Sequence, residues 1–229
     1  MADGAAERPS FMDLLDAHTA AQLLDLGRRR DFPPRTVLFN EHDSADGGDV
    51  YVIINGAVKV GVVLAGREIV LDVLGPGELL GELSAIEDRP RSADAATLTD
   101  VEVVTIPTLE FVAFATEHPS ASLALLQYVS ARLREASQRQ VEYGALDAIG
   151  RVCRRLVEMI DRYGQPSGTE VVLDLQLTQT DIAAWAGLSR EAVVKALRSM
   201  RTLGWIRTED RSTTIVDERA VRARAEVDL

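Results

Sequence analysis

The stretch Leu177-Thr-Gln-Thr-Asp-Ile-Ala-Ala-Trp-Ala-Gly-Leu-Ser-Arg-Glu-Ala-Val-Val-Lys-Ala-Leu-Arg-Ser-Met-Arg-Thr-Leu-Gly-Trp-Ile206 reads as two short amphipathic helices joined by a tight turn, the second studded with basic residues. Thr178 can cap the first helix and Asp181, three residues on, can complete a capping box, while Ile182, Ala183 and Ala186 supply an apolar face. Gly187 supplies the turn. Ser189 then caps a second helix in which Val193, Leu197 and Met200 recur at helical spacing, so Arg190, Glu191, Lys195, Arg198 and Arg201 are left on its other faces. This spacing suits a helix-turn-helix entering a DNA groove, and also an αα-hairpin with a solvated charged face. The residues that follow favour the first. After Gly204, Trp205-Ile-Arg207 and Thr213-Thr-Ile-Val216 flank a polar turn at Glu209-Asp-Arg-Ser212, the pattern of a β-hairpin wing.

A helix in the major groove reads bases chiefly through its first turns, where Arg190, Glu191 and Lys195 fall. Arg can chelate guanine O6 and N7, Glu can accept from cytosine N4, and Lys can donate to guanine or to phosphate, so the trio suits a half-site containing G·C pairs. Thr178, Thr180, Ser189 and Arg198 complete the set expected to meet double-stranded DNA.

A net charge of −11 is at odds with a nucleic-acid partner until it is divided along the chain. From Leu146 onward there are 13 basic and 13 acidic side chains, so all the excess acid lies upstream. Between Ser189 and Leu203 stand four basic residues and one acid, a local positive face of the kind that governs counterion release from DNA.

The chain has 229 residues, 46% of them hydrophobic, and is long enough for two globular domains. No apolar run approaches the ~20 residues of a membrane helix, so no membrane partner is expected. Met1 to Ser10 lacks the basic start and apolar core of a secretory signal; a short disordered tail and a cytoplasmic protein are expected. One cysteine, Cys153, excludes an internal disulfide and any multi-cysteine zinc or iron–sulfur site within one chain.

Upstream, Leu14, Leu15, Ala21, Leu23, Leu24 and Leu26 predict a helix from Phe11 to Arg29, ended by Pro33-Pro34. From Thr36 to Pro107 short β-rich segments (Val37–Phe39, Val50–Ile54, Ala57–Val63, Glu68–Leu74 and Val101–Ile106) alternate with turn signals such as Asn55-Gly56, Ala65-Gly66 and Gly75-Pro-Gly77. That rhythm predicts a small antiparallel sandwich or barrel. A long helix follows from about Ser120 to Tyr143. Its Leu126, Val129, Leu133, Ala136, Gln140 and Tyr143 alternate three and four apart, the seam of a two-stranded coiled coil, or else one buried face of a monomer. Length and a sustained seam favour a homodimer, which a palindromic DNA site would match. Gly144 weakens the helix and Asp147 can cap the next one, so a hinge is expected there.

Helix, β-roll, long dimer helix, hinge and winged helix-turn-helix, in that order, resemble the cyclic-AMP receptor protein branch of the Crp/Fnr transcription regulators. The likeness covers nearly the whole chain and is most specific in Gly81-Glu-Leu-Ser84 with Pro90-Arg-Ser-Ala93, and in Leu188-Ser-Arg-Glu-Ala-Val-Val-Lys195. It implies an α+β fold: an N-terminal cyclic-nucleotide-binding-like roll over residues 1–118, a dimerisation helix over 119–145 and a winged helix-turn-helix over 146–229. It also implies an allosteric effector, cyclic AMP before cyclic GMP, a TGTGA-like palindrome as target, and RNA polymerase as a further partner.

In that family the Gly-Glu turn and the Arg-Ser segment form a cassette for the cyclic phosphate. The resemblance therefore assigns Gly81, Glu82, Leu83, Ser84, Arg91, Ser92 and Ala93 to ligand binding, with Leu71 lining the pocket and Ser137 facing the base. The chemistry suits the residue types. Arg91 can neutralise a phosphodiester, Ser92 can complete the cradle, Glu82 can accept from the ribose 2′-OH, and Gly81 permits a close backbone approach. A surface Glu82–Arg91 salt bridge is the simpler use of the same pair. Several positions differ from the usual family form. The loop Glu41–Asp49 is about two residues longer, His42 stands where Gly is common, Ala136 replaces a hydroxyl residue and Lys195 a frequent Arg.

His18, His42 and His118 share no metal-ligand spacing. Cys153 is expected to be a buried structural thiol, and Trp185 and Trp205 to pack the helix-turn-helix against the wing. No nucleophile–base pair or paired carboxylates point to an enzyme. A Crp-fold DNA-binding regulator that is constitutive, or gated by another ligand, with the roll serving protein contacts, is the other reading of the same features.

Overall fold

The computed structural model describes residues 8–44, 48–175, 177–209 and 212–226. Most of the expected N-terminal tail, part of the Glu41–Asp49 loop and the tip of the wing turn lie outside them. The fold is α+β, in two compact units: the described residues up to Val62 with Leu71–Glu135, and Val63–Val70 with the described residues from Ala136 on.

In chain order the first part runs α1 (Ala17–Asp25), β1 (Arg28–Phe32), β2 (Val37–Phe39), β3 (Asp49–Asn55), β4 (Val58–Leu64), β5 (Arg67–Leu74), β6 (Leu79–Leu80), α2 (Glu82–Glu87), β7 (Asp94–Thr97), β8 (Val101–Pro107), α3 (Thr108–Glu117) and α4 (Pro119–Ala145). Two four-stranded sheets have the orders β1-β8-β3-β6 and β2-β7-β4-β5. Alternation along the strands feeds two cores. Ile53 and Val103 meet Val58, Val60 and Ala95 between the sheets. Val50, Val52, Val104 and Ile106 face the other way, onto Phe111 and Phe114 of α3 and Ala121, Ala124, Leu125 and Tyr128 of α4. Tyr128 is fully buried; its hydroxyl accepts from the Leu79 N–H at 3.2 Å, and burial pushes the phenol up to about 12. Arg8, with a buried side chain, pairs with Asp72 at 3.0 Å, with Glu135 of α4 at 2.7 Å and with Glu78.

The helix expected from Phe11 to Arg29 is broken. Met12–Leu14 form one 3-10 turn, Leu15 is extended, and Asp16 restarts a helix by accepting from the N–H groups of His18 and Thr19. Arg28–Phe32 is strand, not helix: it pairs residue for residue with Thr105–Val101 of β8. Gly27 passes so close to β8 that a Cβ there would lie 2.3 Å from Val104. Tertiary pairing overrides a segment with no β pattern of its own.

The second part runs α5 (Ala148–Tyr163), β9 (Gln165–Ser167), β10 (Glu170–Leu173), α6 (Gln179–Ala186), α7 (Arg190–Thr202), β11 (Ile206–Glu209), β12 (Ser212–Ile215) and α8 (Glu218–Ala225). Its antiparallel sheet has the order β11-β12-β10-β9. Asp147 caps α5 by accepting from the Gly150 N–H. The reciprocal capping box of Thr178 and Asp181 starts α6, Gly187 ends it at φ 63°, and Ser189 caps α7. Such caps are worth about 1 kcal/mol each. Cys153 is fully buried, and burial pushes its thiol up to about 11.

The last turn of α4 is tied into this unit. Glu142, 3% exposed, accepts from Arg154 at 2.9 Å and from Arg155, whose guanidinium lies 5.5 Å from the Trp185 ring. Trp185 thus packs on α5, while Trp205 is half-buried and its carbonyl accepts from Val216 and Asp217. Tyr143, expected in the dimer seam, is 43% exposed and also lies beside its own helix-turn-helix. A Cβ on Gly187 would be 2.9 Å from its Cε1, and Arg151 sits 5.6 Å from its ring. Gly144 lies inside α4.

Candidate functional site

Gly81 enters α2 at φ 80°, a left-handed conformation that suits glycine. Its missing side chain makes room within the protein itself: a Cβ would lie 2.1 Å from Arg91 Nη1 and 2.9 Å from Cζ. Arg91, 5% exposed, fills that slot and donates from Nη1 to Gly81 O at 3.0 Å and Ser84 Oγ at 2.8 Å, and from Nη2 to Asp49 O at 2.6 Å. A guanidinium has five N–H donors. Three are used, so the Nε–H and one Nη2–H remain uncommitted.

The backbone of Arg91 is strapped to the loop after β2. His42 N–H donates to Arg91 O at 2.8 Å, and Arg91 N–H donates to Asp43 O at 2.9 Å. His42 adopts φ 71°, which accounts for the glycine common at that position in the family it resembles. A side chain there costs about 1–2 kcal/mol.

Around Arg91 lies a small cleft of about 40 Å³, partly open to solvent, well below the 300–1,000 Å³ of preformed small-molecule sites. Gly81, Glu82, Leu83, Ser84, Arg91, Ser92 and Ala93 all line it, with apolar walls from Phe39, Val60, Leu74, Leu79 and Leu80. Leu71 is not among the lining residues and is 42% exposed, because the alternation of β5 turns Val70 and Asp72 inward instead. Ser137 is an exposed residue of α4 and does not line the cleft. Glu82 does not pair with Arg91. It is 2% exposed and accepts from Arg132 of α4 at 2.6 Å. Burial holds its carboxyl above the usual carboxylate range, with Arg132 opposing the shift. Phe39, Val60, Leu74, Leu79, Leu80 and Arg132 are the lining residues that sequence reasoning missed; Phe39 and Arg132 are far in sequence from the Gly-Glu and Arg-Ser segments, and no local signal marks them.

Along α4, Leu126 and Leu133 are 70% and 68% exposed, joined by Leu123 at 58%, which the seam did not include. Ala136 and Gln140 are exposed, whereas Val129 is half-buried against the core beneath α3 and α4.

In the second unit Val193, Ala196, Leu197 and Met200 bury one side of α7. Arg190, Glu191, Lys195 and Arg198 are exposed on it, with Thr178, Thr180 and Ser189 exposed at the helix starts. Among the described residues, Arg190, Lys195 and Arg198 have no ion-pair partner, whereas Arg201 donates to Thr208 Oγ1 at 3.1 Å. The Glu191 carboxyl is held below its usual range by hydrogen bonds from its own backbone N–H and the Ser189 hydroxyl.

Comparison with known proteins matches residues 29–118 to the cyclic nucleotide-binding domain and residues 150–224 to the Crp-like helix-turn-helix domain. The CRP-like cAMP-activated global transcriptional regulator of Mycobacterium tuberculosis is 35% identical over 196 residues, 85% of this chain and 87% of that protein. The chain belongs to the Crp/Fnr family of transcription regulators. A CRP/FNR family regulator from Thermus thermophilus shares its fold, with a TM-score of 0.74 at 22% identity over 86% of this chain and 98% of that one. The c-di-GMP responsive global regulator CLP of Xanthomonas campestris aligns at TM-score 0.72 and 25% identity, over 87% and 99% of the two chains. No helix among the described residues is long and apolar enough to cross a membrane, and no cluster of His, Cys, Asp and Glu among them could hold a metal ion.

Proposed function

We propose that this Crp/Fnr regulator is a homodimer whose affinity for a palindromic, TGTGA-like DNA site is set by a cyclic nucleotide, cyclic AMP before cyclic GMP. The observation that carries the reading is the pair of uncommitted Arg91 donors inside the cleft. A buried guanidinium with its Nε–H and one Nη2–H free offers a fork for an anionic phosphodiester. Ser92 lies beside it, Ser84 holds it in place, and Leu83 and Ala93 add apolar contact. Glu82 has acceptor capacity beyond Arg132 for a ribose hydroxyl, and Ser137 meets the base when the ligand bridges to α4. The name of the mycobacterial relative, cAMP-activated, supports the choice of nucleotide.

Dimerisation uses Leu126, Val129, Leu133, Ala136, Gln140 and Tyr143, together with Leu123. The DNA contacts come from Thr178, Thr180, Ser189, Arg190, Glu191, Lys195 and Arg198, and RNA polymerase is the downstream partner of a cytoplasmic, non-enzymatic regulator. Calorimetry with cyclic AMP, cyclic GMP and cyclic di-GMP tests the reading. It expects cyclic AMP to bind most tightly and Arg91→Ala to weaken it greatly. Tightest binding of cyclic di-GMP, or of none of the three, would favour a regulator gated differently. Ala136, which offers a purine no hydroxyl, is the observation on that side.

A further inference from the structure

The three hydrogen bonds of Arg91 all leave from Nη1 and Nη2. They hold one end of the guanidinium and leave its Nε edge without a bond to the protein, so that only the directionality of those three bonds resists rocking of the plane. Rocking would carry Nε, the atom beside the uncommitted edge, out of position. One neighbour opposes that motion. The Phe39 ring lies with its centroid 4.5 Å from Arg91 Cζ. Phe39 closes β2 against Ala95 of β7, and its ring leans on Tyr51, with centroids 5.8 Å apart and planes tilted by 39°. The ring is thus packed against a second aromatic, and its face offers a plate for a cation.

We propose that Phe39 is a positioning residue for ligand binding: its ring fixes the plane of the Arg91 guanidinium, so that the Nε–H and the free Nη2–H present a preformed fork to the phosphodiester. The proposal rests on reading the cleft as a cyclic-nucleotide site. The physical gain is preorganisation. An arginine that must be ordered when ligand arrives loses rotamer freedom at that moment, whereas one already stacked and bonded has lost it on folding. A leucine fills comparable space but has no aromatic face to hold the cation. Tyrosine keeps the face.

The test uses the full-length protein with Phe39→Leu and Phe39→Tyr, and Phe39→Met in place of the leucine variant should that one fail to fold. In ligand-free protein, the NMR order parameter of the Arg91 Nε–H is expected to be high in wild type and Phe39→Tyr and clearly lower in Phe39→Leu. By calorimetry, Phe39→Leu should weaken cyclic AMP by about 2- to 30-fold, the span of one cation–π contact, and Phe39→Tyr by less than about twofold. In an Arg91→Ala background the leucine change should have no further effect, which a purely structural role for Phe39 would not produce. Equal Arg91 order in wild type and Phe39→Leu, or an undiminished loss in the Arg91→Ala background, overturns the proposal. Should wild type bind no cyclic nucleotide, that result refutes the nucleotide reading, while the ligand-free order parameter still decides whether Phe39 positions Arg91.

Discussion

Replacing Gly81 with alanine separates the backbone's need for glycine from the site's need for space. At φ +80° the new Cβ is strained by about 1–2 kcal/mol wherever it points. It would also lie 2.1 Å from Arg91 Nη1, 2.9 Å from Cζ and 3.1 Å from Asp49 O. The guanidinium is the mobile end of a long side chain and gives way, so the domain folds but Arg91 leaves its slot and loses the bonds to Gly81 O and Ser84 Oγ. A displaced Arg91 forfeits a charge-assisted contact with the phosphate worth about 2–4 kcal/mol, or about 30- to 1,000-fold in affinity. Gly66 provides the control: it has φ +77° with nothing within 4 Å of a Cβ, so Gly66→Ala carries the strain alone. Urea denaturation should show similar backbone costs for the two variants, with any excess in Gly81→Ala reflecting the lost Arg91 bonds. Calorimetry with cyclic AMP should show a large loss only for Gly81→Ala. If Gly81→Ala bound cyclic AMP as tightly as Gly66→Ala, Arg91 would not be the phosphate ligand.

Three further outcomes follow from the geometry. Arg190→Ala should relax discrimination at one position of each half-site by ~1–3 kcal/mol, whereas Arg198→Ala should weaken all sequences alike; binding-site selection that returns the wild-type preference from the Arg190 variant would reject the docking register. Leu126→Glu combined with Leu133→Glu, which places charge on two exposed seam residues, should give a folded monomer in sedimentation, and an intact dimer would move the interface elsewhere. Because burial raises the Glu82 carboxyl, the folded protein keeps that proton to a higher pH than the unfolded chain does. Its contribution to stability therefore falls as pH rises from the unfolded value of about 4.3 through the folded one. Glu82→Gln should flatten the stability profile across that window, and identical profiles would show that burial does not raise the carboxyl.

The helix-turn-helix was legible because its signals are local: Thr178 with Asp181, Gly187, and Ser189 sit within a few residues of the helix ends that they set. The apolar strands were legible for the same reason. Strand β1 was not, since Arg28–Phe32 becomes a strand only by pairing with β8, about 70 residues away in sequence. The cassette residues were found by resemblance, but their partners were not. Arg132 lies 50 residues from Glu82, and the slot that Gly81 leaves is filled by Arg91. Heptad spacing placed Tyr143 in the seam; spacing identifies only a face of a helix, and this residue, 43% exposed, also lies beside Gly187 of the same chain. Leu71 came from resemblance alone, and the pleat of β5 turns it outward.

The central claim is that nucleotide in the first unit controls DNA binding by the second. Fluorescence anisotropy of a labelled TGTGA-type palindrome, titrated with full-length protein with and without saturating cyclic AMP, tests it most directly. The account predicts tighter binding with nucleotide, by a factor that reappears when cyclic AMP affinity is measured with and without DNA, because linkage is reciprocal. Equal DNA affinities under both conditions would contradict it.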